Sequence, residues 1–361
     1  MAYSFGLRSY IAPGAPATRH PCDGTESALR IELGFTPRWY RQYLDIDFSR
    51  RWHEDVLYRA ACVEKMRCEL RKRFPDIPIG GDFQMVPPAN LDGVYGALFV
   101  ARLFGVPVEY YEDNWPAAEH SYLSEAEIMA LTPLELSSSP VFAALMEQMD
   151  SIEKEGGRIH GYVNWQGVLN NAYRIRGPEI LTDLIMNPEL ACHLFDVLAE
   201  TMVEGMRLVY ARQAETGVIV QHATVSNCLV NMVSPEQYRD FLLPRDRYIA
   251  GQFSRFGVHN CAWNVNPYIE DYAAIKPLDY VDMGLDSDLK KARRLCPKTR
   301  RAVMYTPKDL CNKSPEQLRA DLIRIYEELA PCDVVMADIE AGTPNARVQV
   351  FWELAEEISA S

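Results

Sequence analysis

From Asp76 onward, short apolar runs alternate with longer stretches of helical periodicity. The β-prone runs are Ile77–Phe83, Val106–Tyr111, Ile159–Asn164, Gly217–Ala223, Gly257–Ala262, Tyr280–Leu285, Ala302–Thr306 and Asp333–Ile339. Between them lie helical stretches such as Leu91–Phe104, Pro188–Thr216, Pro235–Phe256, Ser314–Leu329 and Ala346–Ile358. Strand–helix alternation predicts a parallel sheet covered by helices, and eight runs predict an α/β protein of the (β/α)8 TIM barrel class. A doubly wound sheet fits less well, because no GxGxxG follows the first run. Upstream, residues 1–30 are rich in Pro, Gly and Ala and read as irregular. Thr36–Phe74 reads as helix and loop, with a clear helix over Glu54–Arg73 that ends before Pro75. The expected division is therefore an N-terminal irregular and helical extension, residues 1–75, packed on a barrel domain, residues 76–361.

Composition changes this picture little. The chain has 361 residues, of which 48% are hydrophobic and 24% charged, enough for a large core. No apolar run approaches the length of a membrane span, and the start of the chain does not read as a signal peptide. A net charge of −13 disfavours nucleic-acid binding, so a cytoplasmic protein with no nucleic-acid or membrane partner is expected. The nine cysteines are odd in number, widely scattered and without a CxxC, which argues against a disulfide framework. Any metal site must be assembled from distant segments.

In a barrel of this class, chemistry sits at the C-terminal ends of the strands. Polar residues gather there: Asp82; Glu112 and Asp113; Asn164 and Gln166; Gln221 and His222; His259 and Cys261; Asp286; Tyr305 and Thr306; Asp338 and Glu340. The pair His259 and Cys261 is the sharpest signal. On a strand, residues two apart share a face, so an imidazole and a thiolate would converge as zinc ligands. A buried thiol beside a hydrogen-bonded histidine is the plainer alternative. His222 reads as a general base, a fourth ligand or a loop histidine. Asp82 and Asp286 read as groups acting on substrate or as helix caps. Tyr162, Asn164, Gln166, Gln221 and Tyr305 are candidates for lining the pocket, and Trp115, Trp165 and Trp263 for its apolar walls.

Several stretches, in order, resemble the uroporphyrinogen decarboxylase superfamily. They are Gly105-Val106-Pro107-Val108, Gly161–Leu169 followed by Gly177-Pro178-Glu179, and Ser234-Pro235-Glu236-Gln237-Tyr238 with Phe241 and Pro244; Thr343-Pro344-Asn345 completes the set. The resemblance is greatest to the cobamide-dependent methyltransferase branch, in which a His-x-Cys on a middle strand and a third ligand after the last strand hold zinc. It implies a barrel and a metal site containing His259 and Cys261. It also implies methyl transfer between a small substrate (a methyl ether, a methylamine or a tetrahydrofolate type) and a corrinoid. No DxHxxG motif is present, so the corrinoid is expected on a partner protein. Where the branch has its third cysteine, this chain reads Met336-Ala337-Asp338-Ile339-Glu340. Asp338 is the expected third ligand, ahead of Glu340 and then Cys332, and an oxygen ligand would favour an oxygen or nitrogen substrate. The alternatives are a metal-free decarboxylase of a polycarboxylate and a non-catalytic corrinoid-binding barrel. The superfamily's arginine motif is absent from the first 75 residues, and the group Arg38, Arg41, Arg50 and Arg51 reads as a solvated helical face. The sequence does not fix the direction of transfer or the oligomeric state, a homodimer included.

Overall fold

The computed structural model describes residues 26–78 and 86–360. Among the described residues eight strands are formed: β1 Leu29–Phe35, β2 Val108–Glu109, β3 Ala117–Ala118, β4 His222–Ser226, β5 Arg255–His259, β6 Tyr280–Gly284, β7 Arg300–Met304 and β8 Cys332–Ile339. Six of them make one parallel sheet in the order β1-β8-β7-β6-β5-β4. The strands are buried along nearly their whole length, as expected for a parallel sheet with helices outside and packed side chains inside. The fold is a (β/α)8 barrel. Beyond β4 the irregular run 159–165 lies alongside: the Thr224 amide donates to the Tyr162 hydroxyl at 3.0 Å. The run is tied in turn to residues 91 and 92, through Leu91 N to His160 O and Tyr162 N to the Asp92 carboxylate. Part of the predicted first strand, with Asp82, lies outside the described residues.

Two sequence expectations change. Leu29–Phe35 falls within the expected extension, yet it pairs in parallel with β8 from Leu29–Cys332 to Leu33–Met336. The barrel sheet thus begins before the expected boundary at residue 75. Its charged positions hid it: Arg30 and Glu32 are 4% and 1% exposed, because they face the barrel interior rather than water. The helices Pro37–Leu44, Arg50–Glu54 and Val56–Arg73 that follow are the predicted helical part. Second, Val106–Tyr111 supplies no barrel strand. It gives only β2, which pairs antiparallel with β3 in a two-stranded ribbon.

At the N-terminal end of the barrel, Asp333 is wholly buried between two arginines. It meets Arg30 at 2.6 Å and Arg300 at 2.8 Å and 3.2 Å. Three strands, β1, β7 and β8, are thereby locked together by charge. Such a cluster is costly to desolvate, but removing Asp333 takes from Arg300 and Arg30 the buried counter-charge they share, and leaves Arg30 with Glu26 at 3.7 Å. Asp333→Ala is expected to lower stability by about 3–5 kcal/mol. Urea unfolding checks this; a loss below about 1 kcal/mol would mean that the arginines find water or other acceptors.

Glycine matters where strand ends crowd at the other rim. A Cβ on Gly284 would lie 2.1 Å from the Ala262 carbonyl oxygen, and one on Gly167 would lie 2.5 Å from that of Ser226. These contacts set how closely the segments after β4 and β5 approach their neighbours. Gly284→Ala is expected to displace the 261–263 turn, visible as changed amide shifts for those residues with the rest of the barrel intact.

Candidate metal centre and pocket

The site grows out of strand register. Ser226 on β4 pairs with His259 on β5, so the residues two positions further on, Cys228 and Cys261, stand at the same level on neighbouring strand ends. β5 stops at His259. Cys261 then takes a left-handed conformation, φ 57°, which turns its side chain back toward the imidazole. Convergence therefore comes from this turn rather than from the two-residue alternation of a strand. A non-glycine residue held at positive φ is strained, and strain of this kind collects at functional sites.

The Cys261 sulfur lies 3.3 Å from His259 Nε2 and 3.0 Å from the Cys228 sulfur. One ligand atom from each residue falls within 4.8 Å of the other two. Both cysteines are free thiols, and a 3.0 Å contact is well beyond a disulfide bond of about 2.05 Å. With bonds of about 2.3 Å to sulfur and about 2.0–2.1 Å to nitrogen, one zinc ion can span this set. Two cysteines and one histidine, with a position left for substrate, make a recurring donor set for catalytic zinc. The residues present therefore fit the metal.

Behind the imidazole sits Asp282 of β6, wholly buried. Its carboxylate is 2.6 Å from His259 Nδ1, accepts the Asn260 amide at 2.6 Å, and accepts the Tyr280 hydroxyl at 2.9 Å. The Asn260 side chain donates to the Asp282 carbonyl and accepts from Tyr272. A carboxylate on Nδ1 fixes the ring and leaves Nε2 facing the thiols, as in carboxylate–histidine–metal triads. Burial opposes a charge on His259, but Asp282 and the Cys261 sulfur overcome it and hold its pKa well above the ordinary histidine range. The Cys261 thiol donates to Cys228, which holds the Cys228 pKa well below the usual thiol value against the effect of burial. The same bond, with burial, pushes Cys261 up.

Cys228 has its own anchor. Asn227 donates its backbone amide to the His259 carbonyl at 2.7 Å and its side chain to Asp246 at 2.9 Å. Tyr238 donates to the same Asp246 oxygen at 2.8 Å. Burial raises the Asp246 pKa to about 6, while the bonds from Asn227 and Tyr238 favour its ionised form. The stretch Ser234–Tyr238 thus works on the site at one remove: Ser234 and Gln237 cap the helix that carries Tyr238.

His259 and Cys261 lie on the floor of a cavity of about 480 Å³. Met304, Tyr305 and Pro307 form one wall, and Asp338 and Glu340 after β8 form another. The rim is made by Thr36–Arg38 and by Asp113–Trp115 of the loop between β2 and β3. Arg38, read from sequence as part of a solvated face, lies near Asp113 at 3.6 Å and Glu340 at 4.0 Å. Burial and Glu340 raise the Asp338 pKa, and His259 tempers the effect.

The other expected residues divide sharply. Asp338 and Glu340 reach the cavity, but neither belongs to the three-residue ligand cluster among the described residues. Cys332 opens β8, six residues and about 20 Å of strand before Asp338, at the far end of the barrel. His222 and Gln221 also lie at that far end, because β4 is His222–Ser226 rather than Gly217–Ala223. His222 packs at a tilt against Tyr162, ring centroids 5.1 Å apart, whose hydroxyl is engaged by Thr224; neither lines the cavity. Asp286 is exposed beyond β6, where its backbone carbonyl accepts from Asn264. Tyr305 lines the cavity with its hydroxyl bound to Asp321. Asn164 and Gln166 form a buried amide chain outside the cavity lining. Trp115 is at the rim as expected, whereas Trp165 is core. Sequence reasoning missed Cys228 as a candidate ligand and Asp282 as the support of His259. The slipped β4 hid the first. The second had a usable signal, a lone aspartate inside the apolar run Tyr280–Gly284.

Comparison with known proteins is consistent with this architecture. No curated protein matches. Among solved structures, a methyltransferase from Methanosarcina mazei superposes with a TM-score of 0.62 at 16% identity, over 90% of this chain and 93% of that one. That likeness is one of fold. Among the described residues, no helix is long and apolar enough to cross a membrane. The sequence profile described as "Uroporphyrinogen decarboxylase (URO-D)" matches residues 84–358, well over half of the chain, so the protein belongs to the uroporphyrinogen decarboxylase family.

Proposed function

We propose that the protein is a zinc-dependent methyltransferase that moves a methyl group between a small substrate and the corrinoid of a partner protein. The carrying observation is the convergence of Cys228, His259 and Cys261 at the strand ends, with His259 and Cys261 on the floor of the cavity. The fold likeness to a methyltransferase supports the same reading. Cys228 takes the place of the expected carboxylate, which gives a ligand set of one nitrogen and two sulfurs. A set without an oxygen ligand carries no preference for an oxygen or nitrogen substrate over a thiol. Bound there, zinc would supply a Lewis acid that polarises a substrate heteroatom or favours its deprotonated form.

The protein's own groups do the rest. Asp282 keeps the imidazole in one tautomer and one orientation. Met304, Pro307 and Trp115 exclude water around the reacting end of a substrate, and the open rim leaves a path for a corrinoid presented by a partner. A metal-free decarboxylase acting on a polycarboxylate is disfavoured by the same cavity. Among the described lining residues, Arg38 faces Asp113 and Glu340, and Asp338 adds a third carboxylate. That lining repels a polyanion.

Elemental analysis tests the metal. About one zinc per chain is expected in the wild type and in Asp338→Ala, and little in His259→Ala or Cys228→Ser. Full zinc in both latter variants would sink the assignment, and its loss in Asp338→Ala would return the third ligand to β8. Asp282→Asn is expected to weaken zinc about 10–100-fold in chelator competition. Methyl transfer to free cob(I)alamin, followed by the change in its visible spectrum, should fall with zinc occupancy across these variants.

A further inference from the structure

On the side of Cys228 where helix Val168–Arg176 packs lies a cation that the proposed chemistry does not use. Arg174 is partly buried, and no carboxylate pairs with it among the described residues. Its two hydrogen bonds both leave from Nη1, to Gln166 Oε1 at 3.2 Å and to the Asn170 carbonyl at 3.3 Å. Arg301 offers the contrast of a structural arginine: its two terminal nitrogens are filled by the carbonyls of Cys296, Pro297, Thr299 and Pro331. Arg174 keeps Nε and Nη2 available.

The residues that hold it are themselves held. Gln166 sits at φ 60°, a second strained non-glycine position next to the thiols. Its backbone and side-chain amides both donate to Asn164 Oδ1, at 3.0 Å and 2.9 Å. Its own Oε1 takes Asn170 Nδ2 at 3.0 Å as well as Arg174. Asn170 Oδ1 then accepts the amide of Leu229, the residue after Cys228, at 3.2 Å. One chain of hydrogen bonds thus fixes the guanidinium and the Cys228 segment together. Burial lowers the Arg174 pKa to about 10, and Cys228 is the ionisable neighbour that supports its charge. It stays cationic at neutral pH in a place where water solvates it poorly.

We propose that Arg174 binds the carboxylate of an anionic substrate whose other end reaches the thiol–imidazole cluster. A guanidinium fork matches two carboxylate oxygens, and a charge-assisted pair of this kind is strong where solvent is scarce. Arg174 does not line the cavity that holds Asp113, Asp338 and Glu340; those carboxylates repel an anionic group, which places it on the opposite, Cys228 side of the cluster, where Asn170 ties Arg174 to Leu229. The proposal rests on the methyltransferase reading only for the reaction at the other end of the substrate; carboxylate binding itself does not depend on it.

Calorimetry and ligand-observed NMR with benzoate, on chelator-treated and on zinc-loaded full-length protein, test this. Benzoate should bind both forms, which separates this test from the question of zinc. Arg174→Gln should weaken binding about tenfold or more with unchanged zinc content, and Arg174→Lys should lose less. Equal benzoate binding by wild type and Arg174→Gln overturns the proposal. So does loss of zinc from Arg174→Gln with benzoate binding intact, which would make Arg174 a positioning residue for Cys228. Inorganic phosphate that binds more tightly than benzoate, and through Arg174, overturns the choice of carboxylate.

Discussion

The candidate site depends on the carboxylate of Asp282. It is wholly buried, so its charge must be met by hydrogen bonds within the protein. His259, the Asn260 amide and Tyr280 supply them. In meeting that demand they fix an imidazole, the first residue after β5 and the spacing between β5 and β6. The turn that follows carries Cys261 back toward the ring. A cost of desolvation is thus converted into position, and the ring nitrogen that faces the thiols is settled by the bond on its far side.

The two ends of the barrel solve the same problem differently. At the N-terminal end Asp333 is enclosed by Arg30 and Arg300. Charge there is closed on itself and ties three strands. At the C-terminal end the polar groups are supported from behind and open in front: Asp282 behind His259, and Asp246 behind Asn227 and so behind Cys228. The first arrangement contributes to holding the fold, and the second presents donor atoms to a cavity. The division agrees with the way barrels of this class separate stability from chemistry.

How much of this the sequence could say follows from how strongly each residue is constrained locally. The β–α rhythm, and with it the barrel, was legible because buried strands and amphipathic helices leave periodic patterns. His259 and Cys261 were legible as a pair of ligand types two residues apart. β1 was not, since Arg30 and Glu32 look like surface residues until the barrel interior buries both and sets Asp333 against Arg30. Cys228 was not, because the start of β4 is ambiguous over the stretch Gly217–Ala223. A slip of a few residues there moved His222 and Gln221 to the wrong end of the barrel and left Cys228 unnoticed. Asp338 and Glu340, expected as ligands, line the cavity, while the candidate ligand cluster among the described residues has Cys228 in their stead.

The floor and the rim of the cavity come from different kinds of segment. The floor is built at paired strand ends, where register and buried carboxylates leave little freedom. The rim comes from Thr36–Arg38, at the start of a helix, and from Asp113–Trp115, on the loop of the small β2–β3 ribbon outside the barrel sheet. Loops of this kind tolerate insertion and replacement far better than strands do. The opening can therefore change size, charge or aromatic lining while the donor atoms beneath it stay in register, so relatives of this protein are free to diverge in what they admit before they diverge in what they hold.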